Sequence, residues 1–279
     1  CIEYQGDPAT TFTLVGKYQM PEPVGRGCLV KVGGELVVMT KQGPVPMSAA
    51  KTGVAFDLMA IGAWGKIAPS WKEDYDTYGN GDAWTALYAN GIIYFSFPTS
   101  SGSNASKQYV FNTRRSAWTT YSGLPASSWA TLENEVYIGE FDAGKVYKHR
   151  SGTDNGSSIE AMGRSGFAYP VGPTQNIAVN AMKPLIDTDG TLTGTFTIDI
   201  DFIDEDFPNT TYSFIQKAEG AVWGDPWGSP WGAAPETVKR WYGARGYGRA
   251  IGVGVKAFSK APKALWYATD IMGVPGGPL

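Results

Sequence analysis

Apolar positions along this chain fall in short runs that alternate with polar residues and are punctuated by turn residues. Helical spacing is nearly absent. Cys28–Val32 and Leu36–Thr40 flank Gly33-Gly34, a two-residue hairpin pattern. Trp84–Ala89 and Ile92–Phe97 flank Asn90-Gly91, whose residues readily adopt the positive φ that tight hairpin turns need. Trp129–Leu132 and Val136–Ile138 flank Glu133-Asn134-Glu135, and Tyr109–Asn112 returns through Thr113–Ser116 to Trp118–Tyr121. The best helix candidate is Ser48–Ile61, with Ser48 as a possible N-cap.

These units resemble one another. The apolar strands centred on Val38, Phe95 and Ile138 lie 57 and 43 residues apart. Such spacing, with about four short strands per unit, predicts propeller-type blades, because one blade cannot cover both of its faces while stacked blades can. A generic antiparallel meander is the alternative. The composition turns polar and turn-rich over Ser151–Ser158, and the pattern then changes. Thr195–Phe202 alternates throughout, with Phe196, Ile198, Ile200 and Phe202 on one face and Thr195, Thr197, Asp199 and Asp201 on the other. Thr211–Ile215, Ala250–Phe258 and Ala264–Met272 read as further strands. The expected fold is all-β, with a propeller-type domain over 1–150, incomplete at its amino end, and a β-sandwich-like domain over 151–279.

The 279 residues are 43% hydrophobic and 18% charged, enough apolar material for a sizeable core. The net charge of −3 provides no overall positive field for nucleic acid. No apolar run reaches the roughly 18 residues of a membrane-spanning helix. Cys1 and Cys28 fit neither a disulfide framework nor a zinc spacing. The chain opens without an initiator Met and without a signal-peptide pattern, which suggests a cleaved product or the carboxyl part of a longer chain.

Gln108–Trp118, with Tyr121-Ser-Gly123 and Trp129 after it, resembles blades of the tail-nozzle (packaged-DNA stabilisation) proteins of short-tailed bacteriophages. So do Val136–Gly139 with Gly144–Tyr147, Gly33–Thr40 with Gly43–Ser48, the step through Asp154-Asn-Gly156, and the ending Gly276–Leu279. The resemblance implies a virion structural protein rather than an enzyme. It implies a homo-oligomeric ring, usually a hexamer, assembled in the host cytoplasm below the portal and adaptor proteins, and meeting tail-tip or fibre proteins at its lower end. Genomic DNA would pass through the channel without sequence-specific binding. The competing reading is a host-receptor or carbohydrate-binding tail protein, and a third is a glycoside hydrolase.

Three clusters bear on these readings. Asp187, Asp189, Asp199, Asp201, Asp204, Glu205 and Asp206 lie in a stretch without Lys or Arg. Paired carboxylates serve glycoside hydrolysis or calcium binding, but Asp199 and Asp201 share the solvent face of an expected strand, and Asp187-Thr-Asp189-Gly190 lacks the further ligands of a calcium loop. In a nozzle, Asp199 and Asp201 would face the channel and repel DNA phosphates. Lys239, Arg240, Arg245, Arg249, Lys256, Lys260 and Lys263 interleave with Trp241, Tyr242, Tyr247 and Phe258, a mixture that suits single-stranded nucleic acid but equally suits pairing with acids across strands or between ring neighbours. Trp223, Trp227 and Trp231 stand between Gly and Pro residues and so not on a regular helix. They suit subunit anchoring, sugar stacking, or burial against their own domain. His149 is the only histidine and no nucleophile motif accompanies it. Gly252-Val-Gly254 imitates a dinucleotide fingerprint with no helix pattern after it. No catalytic, cofactor-binding or metal-binding set emerges.

Overall fold

A computed structural model of the chain describes residues 2–51, 65–79, 84–99, 106–140, 144–149, 152–188, 192–214, 236–238, 240–260 and 263–278. The fold is all-β: antiparallel sheets dominate and helices are few. Two compact units divide the chain, Cys1–His149 and Arg150–Leu279.

The first unit contains β1 (Ile2–Gln5), β2 (Thr13–Lys17), β3 (Leu29–Val32), β4 (Glu35–Thr40), β5 (Gly43–Pro46), α1 (Met47–Lys51), α2 (Ala68–Tyr78), β6 (Thr85–Ala89), β7 (Ile92–Pro98), β8 (Ser106–Asn112), β9 (Ala117–Ser122), β10 (Ser128–Leu132), β11 (Glu135–Gly139) and β12 (Val146–Lys148). They form consecutive antiparallel sheets: β1-β2, β3-β4-β5, β6-β7-β8-β9 and β10-β11-β12. Local turn chemistry sets the registers. Asn90 and Gly91 both hold positive φ (53° and 79°) and pair Ala89 with Ile92. Glu133 and Asn134 take the same conformation (51° and 64°), so the expected three-residue loop is a two-residue turn and Glu135 opens β11.

The β6–β9 sheet is covered on both faces. Ile93, Phe95, Phe97, Tyr109 and Phe111 share a core with Val30, Val37, Val38 and Met39 of β3-β4 and with Trp71 of α2. Ile92, Tyr94 and Val110 point the other way, onto Trp129 of β10. That two-sided burial is why β7 is apolar throughout rather than alternating.

Helix α2 was not expected. Pro69 stands in its first turn, Lys72 and Asp76 pair at 2.6 Å, and Trp71 donates from Nε1 to the buried Thr40 carbonyl at 3.0 Å. Of the expected helix Ser48–Ile61, α1 is the described part, and it starts at Met47, so Ser48 is inside it. Glu35 of β4 accepts from the Ser48 amide at 3.0 Å. Burial raises the Glu35 pKa, but this bond and those from its neighbours outweigh burial and hold it below the usual carboxylate range.

The second unit contains β13 (Ile159–Arg164), β14 (Gln175–Thr188), β15 (Leu192–Ile200), β16 (Tyr212–Phe214), β17 (Glu236–Val238), β18 (Tyr242–Gly248), β19 (Ile251–Ser259) and β20 (Ala264–Pro278). One sheet runs β13-β19-β15-β16. In the other, β14 pairs with β20 on one edge and with β17 and β18 on the opposite edge. A single apolar cluster draws on both sheets: Ile177, Val179, Met182 and Ile186 from β14, Leu192, Phe196 and Ile198 from β15, Tyr242 from β18, and Ile251, Val253 and Val255 from β19. Pro184 lies within β14, in the interval between the β18 and β17 partners. There its missing N–H interrupts no ladder on that edge.

Strand β15 ends at Ile200, two residues short of the expected Phe202. Asp201 and Phe202 both turn to positive φ (46° and 68°), and Phe202 is exposed. Gly252 and Gly254 lie inside β19, not before a helix. A Cβ at Gly254 would stand 2.5 Å from Thr197 Cγ2 and 3.0 Å from Phe207, and one at Gly252 would stand 3.3 Å from Phe167. These glycines make room for rings laid across the strand.

Candidate subunit interface

The strongest candidate surface is the outer face of the β14/β18/β20 sheet. Alternation sends Ile177, Val179, Met182 and Ile186 of β14 inward and leaves Ala178, Lys183 and Asp187 outward. The registers Ala178↔Tyr247, Ala178↔Val274, Ala181↔Met272, Lys183↔Asp270 and Asp187↔Leu265 place those partners on the same side. Between Leu185↔Ala268 and Ile186↔Trp266, β20 carries one extra residue, Tyr267, a bulge that turns its ring out. The result is six large side chains on one sheet face: Trp241 44%, Tyr247 61%, Leu265 46%, Tyr267 63%, Met272 51% and Val274 60% exposed.

Polar contacts fix this face. Lys183 Nζ meets Asp270 at 2.6 Å and lies 5.1 Å from the centre of the Trp241 ring. Tyr267 donates to Asp187 at 3.1 Å, and that bond, with some burial, raises the phenol pKa. Asn176 Nδ2 donates to the Tyr247 hydroxyl at 3.1 Å. Rings held this way lose little freedom on docking. At aromatic side-chain areas of roughly 150–250 Å² the three rings alone expose on the order of 300 Å². That already reaches the range of the largest patch on an ordinary monomer, before Leu265, Met272 and Val274 are added. Among the described residues no strand pairs with the second edge of β20.

The residues singled out from sequence are distributed differently. Trp223, Trp227 and Trp231 lie outside the described residues, as does Asp189. Asp199 is not on a solvent face. Its side chain is 1% exposed, takes Arg164 Nη1 at 2.5 Å and accepts from the Glu205 amide at 3.0 Å. Arg164 Nη2 also donates to the Glu205 carbonyl at 2.7 Å, and its guanidinium lies 4.9 Å from the Phe207 ring. The reason is a second layer: Thr195 Oγ1 donates to the Pro208 carbonyl, and Thr195 and Thr197 are buried with Asp199. The 201–208 segment therefore covers the face that alternation assigns to solvent, and Asp199 cannot line a channel.

Asp201 sits in the turn after β15. Its Oδ1 accepts from the Arg249 and Ala250 amides at 2.8 and 2.9 Å, which hold its pKa below the ordinary carboxylate value. The two carboxylates thus have different structural tasks. Of the basic stretch, Lys256 pairs with Glu160 of β13 at 2.8 Å. Its aromatic companions divide, with Tyr242 in the core and Trp241 and Tyr247 on the outer face. His149 stands among the rings of Tyr94, Tyr121 and Trp129, with centroids 5.3–6.2 Å away. Among the described residues no group of three or more His, Cys, Asp or Glu side chains is placed to hold a metal ion, and no helix is long and apolar enough to cross a membrane.

Sequence reasoning missed β14 as a strand and the outer face with it. The signal was the alternation Leu265/Tyr267 and Met272/Val274, which the bulge between them puts out of phase. No family model matches the chain, and no curated protein matches it with significant similarity.

Proposed function

We propose that the chain is an architectural subunit of a closed ring in the tail of a short-tailed phage, in which it extends the DNA channel below the portal and adaptor and helps retain the genome. In this reading the first unit is a set of propeller-type blades and the second a β-sandwich. Consecutive sheets sharing apolar faces in the first unit and two sheets around one cluster in the second support that architecture. The observation that carries the reading is the outer face of β14/β18/β20. Three of its six exposed side chains, Trp241, Tyr247 and Tyr267, are held by polar or cation–π contacts, which suits a permanent protein partner.

Native mass spectrometry of the purified chain tests this. A closed oligomer is expected, with Tyr267→Asp and Met272→Asp lowering its mass while the circular dichroism stays that of β structure. A chain that remains single at assembly concentrations refutes the reading.

One observation favours a second reading, a carbohydrate-binding tail protein: Trp241, Tyr247 and Tyr267 present three exposed rings on one sheet face. Glycan-array binding lost on Trp241→Ala, with oligomer mass unchanged, would select it.

A further inference from the structure

We infer that the Phe202–Ile203 turn of one copy docks into a recess on the outer β14/β18/β20 face of the next, with Arg245 beside the recess meeting the acids that follow the turn. This rests on the reading of that face as a subunit contact and names the element that fills it.

The recess follows from the registers. Tyr242 and Ala244 join the core, so Gly243, Arg245 and Tyr247 of β18 alternate outward. Ala178 of β14 stands between Tyr247 on one side and Val274 of β20 on the other. A methyl between two large exposed side chains leaves a hollow, and Ala178 is half-buried at its floor. The Tyr247 hydroxyl accepts from Asn176 at 3.1 Å and would stand 3.3 Å from a Cβ on Gly276, so the ring lies across the sheet and closes one end. Toward the other end the row is Gly243, Ala181 and Met272, in which only Met272 is large. Arg245 is exposed there and has no ion pair among the described residues.

The turn is the complement. Asp201 and Phe202 hold positive φ (46° and 68°), a conformation that bulky L residues rarely adopt. Hydrogen bonds fix it on both sides. Asp201 accepts from the Arg249 and Ala250 amides, and the Ile203 amide donates to the Ile200 carbonyl at 2.9 Å. Phe202 and Ile203 are thereby held out at 65% and 64% exposure, with the Phe167 ring 4.9 Å behind Phe202. Two adjacent large apolar side chains on a turn fixed in this way bury apolar surface on docking at little entropic cost.

Charge agrees with shape. Asp204 follows the turn with its side chain 67% exposed, and Glu205 and Asp206 are exposed beside it. Arg164 is engaged by Asp199 and Arg249 lies beside Asp201, which leaves the three later acids in excess. An apolar tip next to negative charge thus faces an apolar recess next to a cation. The turn continues from β15 in one sheet and the recess lies on the outside of the other, so one copy can use both at once. Such a contact is heterologous, the kind that closes into a ring when the rotation allows it.

The test uses the full chain with Cys1→Ser. Cys28 is 3% exposed and stays silent toward thiol reagents. Ile203→Cys and Val274→Cys proteins are prepared singly, mixed and treated with a short bis-maleimide. A cross-linked dimer is expected in the mixture and in neither protein alone. Phe202→Gly removes the tip and suits the backbone angle there, so the oligomer mass should fall on native mass spectrometry while the urea midpoint holds. Arg245→Glu should lower the oligomer mass as well, and Asp204→Arg added to the same chain should restore it. If the parent is an oligomer but the mixture does not cross-link, the inference fails while the reading of the face stands. Dimers from either single cysteine variant, an oligomer indifferent to Phe202→Gly, or a double variant no heavier than Arg245→Glu also overturn the inference alone. A monomeric parent overturns both.

Discussion

Replacing Arg164 with Leu takes the cation from a carboxylate that has almost no access to water. Asp199 would keep one donor, the Glu205 amide at 3.0 Å, and lose the Nη1 contact at 2.5 Å. Breaking a buried pair from one side costs about 3–5 kcal/mol, because an uncompensated charge stays behind. Here Arg164 is 24% exposed, so water reaches the vacated side and the cost belongs near the lower end, about 3 kcal/mol. Loss of the guanidinium against Phe207 adds roughly 0.5–1 kcal/mol. Asp199→Asn keeps the shape and an acceptor for Glu205 and should cost only about 1–2 kcal/mol. The double change Arg164→Leu with Asp199→Leu removes both charges and should be less damaging than Arg164→Leu alone. Amide hydrogen exchange of β15 and β19 reads the effect. At about tenfold per 1.4 kcal/mol, Arg164→Leu should speed exchange there by roughly 300- to 700-fold. Exchange within about threefold of the parent, or a double variant whose loss equals the sum of the two Leu singles, would refute the claim that this pair is buried and coupled.

Gly254→Ala should destabilise the second unit by about 1–3 kcal/mol, and Gly252→Ala by less, since the new methyls meet neighbours at 2.5 and 3.3 Å respectively; urea unfolding of both variants checks the order. Trp71→Phe should cost about 2–4 kcal/mol, through lost volume and the orphaned Thr40 carbonyl, read as faster exchange in β4 and β8. Burial, and then the bond to Asp74, raise the Tyr109 pKa above the ordinary phenol value. A group raised in the folded state contributes stability below its unfolded pKa, about 10, and that contribution is lost as pH climbs beyond it. Alkaline unfolding of the first unit should accordingly become less steep in Tyr109→Phe, and an unchanged profile would discount the phenol. Asp201→Ala should loosen the turn at Arg249 and Ala250, and in the parent the same contact should weaken as pH falls below the carboxylate range, seen as faster exchange of those two amides.

Hairpins were the legible part of this fold. Asn90-Gly91 and Gly33-Gly34 specify their turns through backbone preference alone, so the strands beside them fall where alternation puts them. Helix α2 was legible only in retrospect. Trp71, Tyr75 and Tyr78 stand at helical spacing and all join the first core, but Lys72, Glu73, Asp74, Asp76 and Thr77 between them are polar. Strand β14 was hidden by Pro184, a residue that argues against a central strand unless the ladder has a gap at that point. Of the outer β14/β18/β20 face, Trp241 and Tyr247 were visible as aromatics but not as one face, because the pairing that aligns them with β20 is long-range.

Asp199 shows what alternation can and cannot decide. Period two fixes that Asp199 points away from Phe196 and Ile198; it says nothing about what lies on that side. The chain supplies its own cover there, as Phe207 and Pro208 fold back over Thr195, Thr197 and Asp199. A strand covered twice can hold a charge only with its partner inside, which is Arg164's role. The β14/β18/β20 sheet presents the opposite case. Its outward positions carry Trp, Tyr, Leu, Met and Val, the residue types suited to a second layer, and among the described residues nothing folds back over them. In one sheet a polar-looking face is buried by the chain itself. In the other, the described residues leave an apolar face bare, and that contrast is the ground of the subunit proposal.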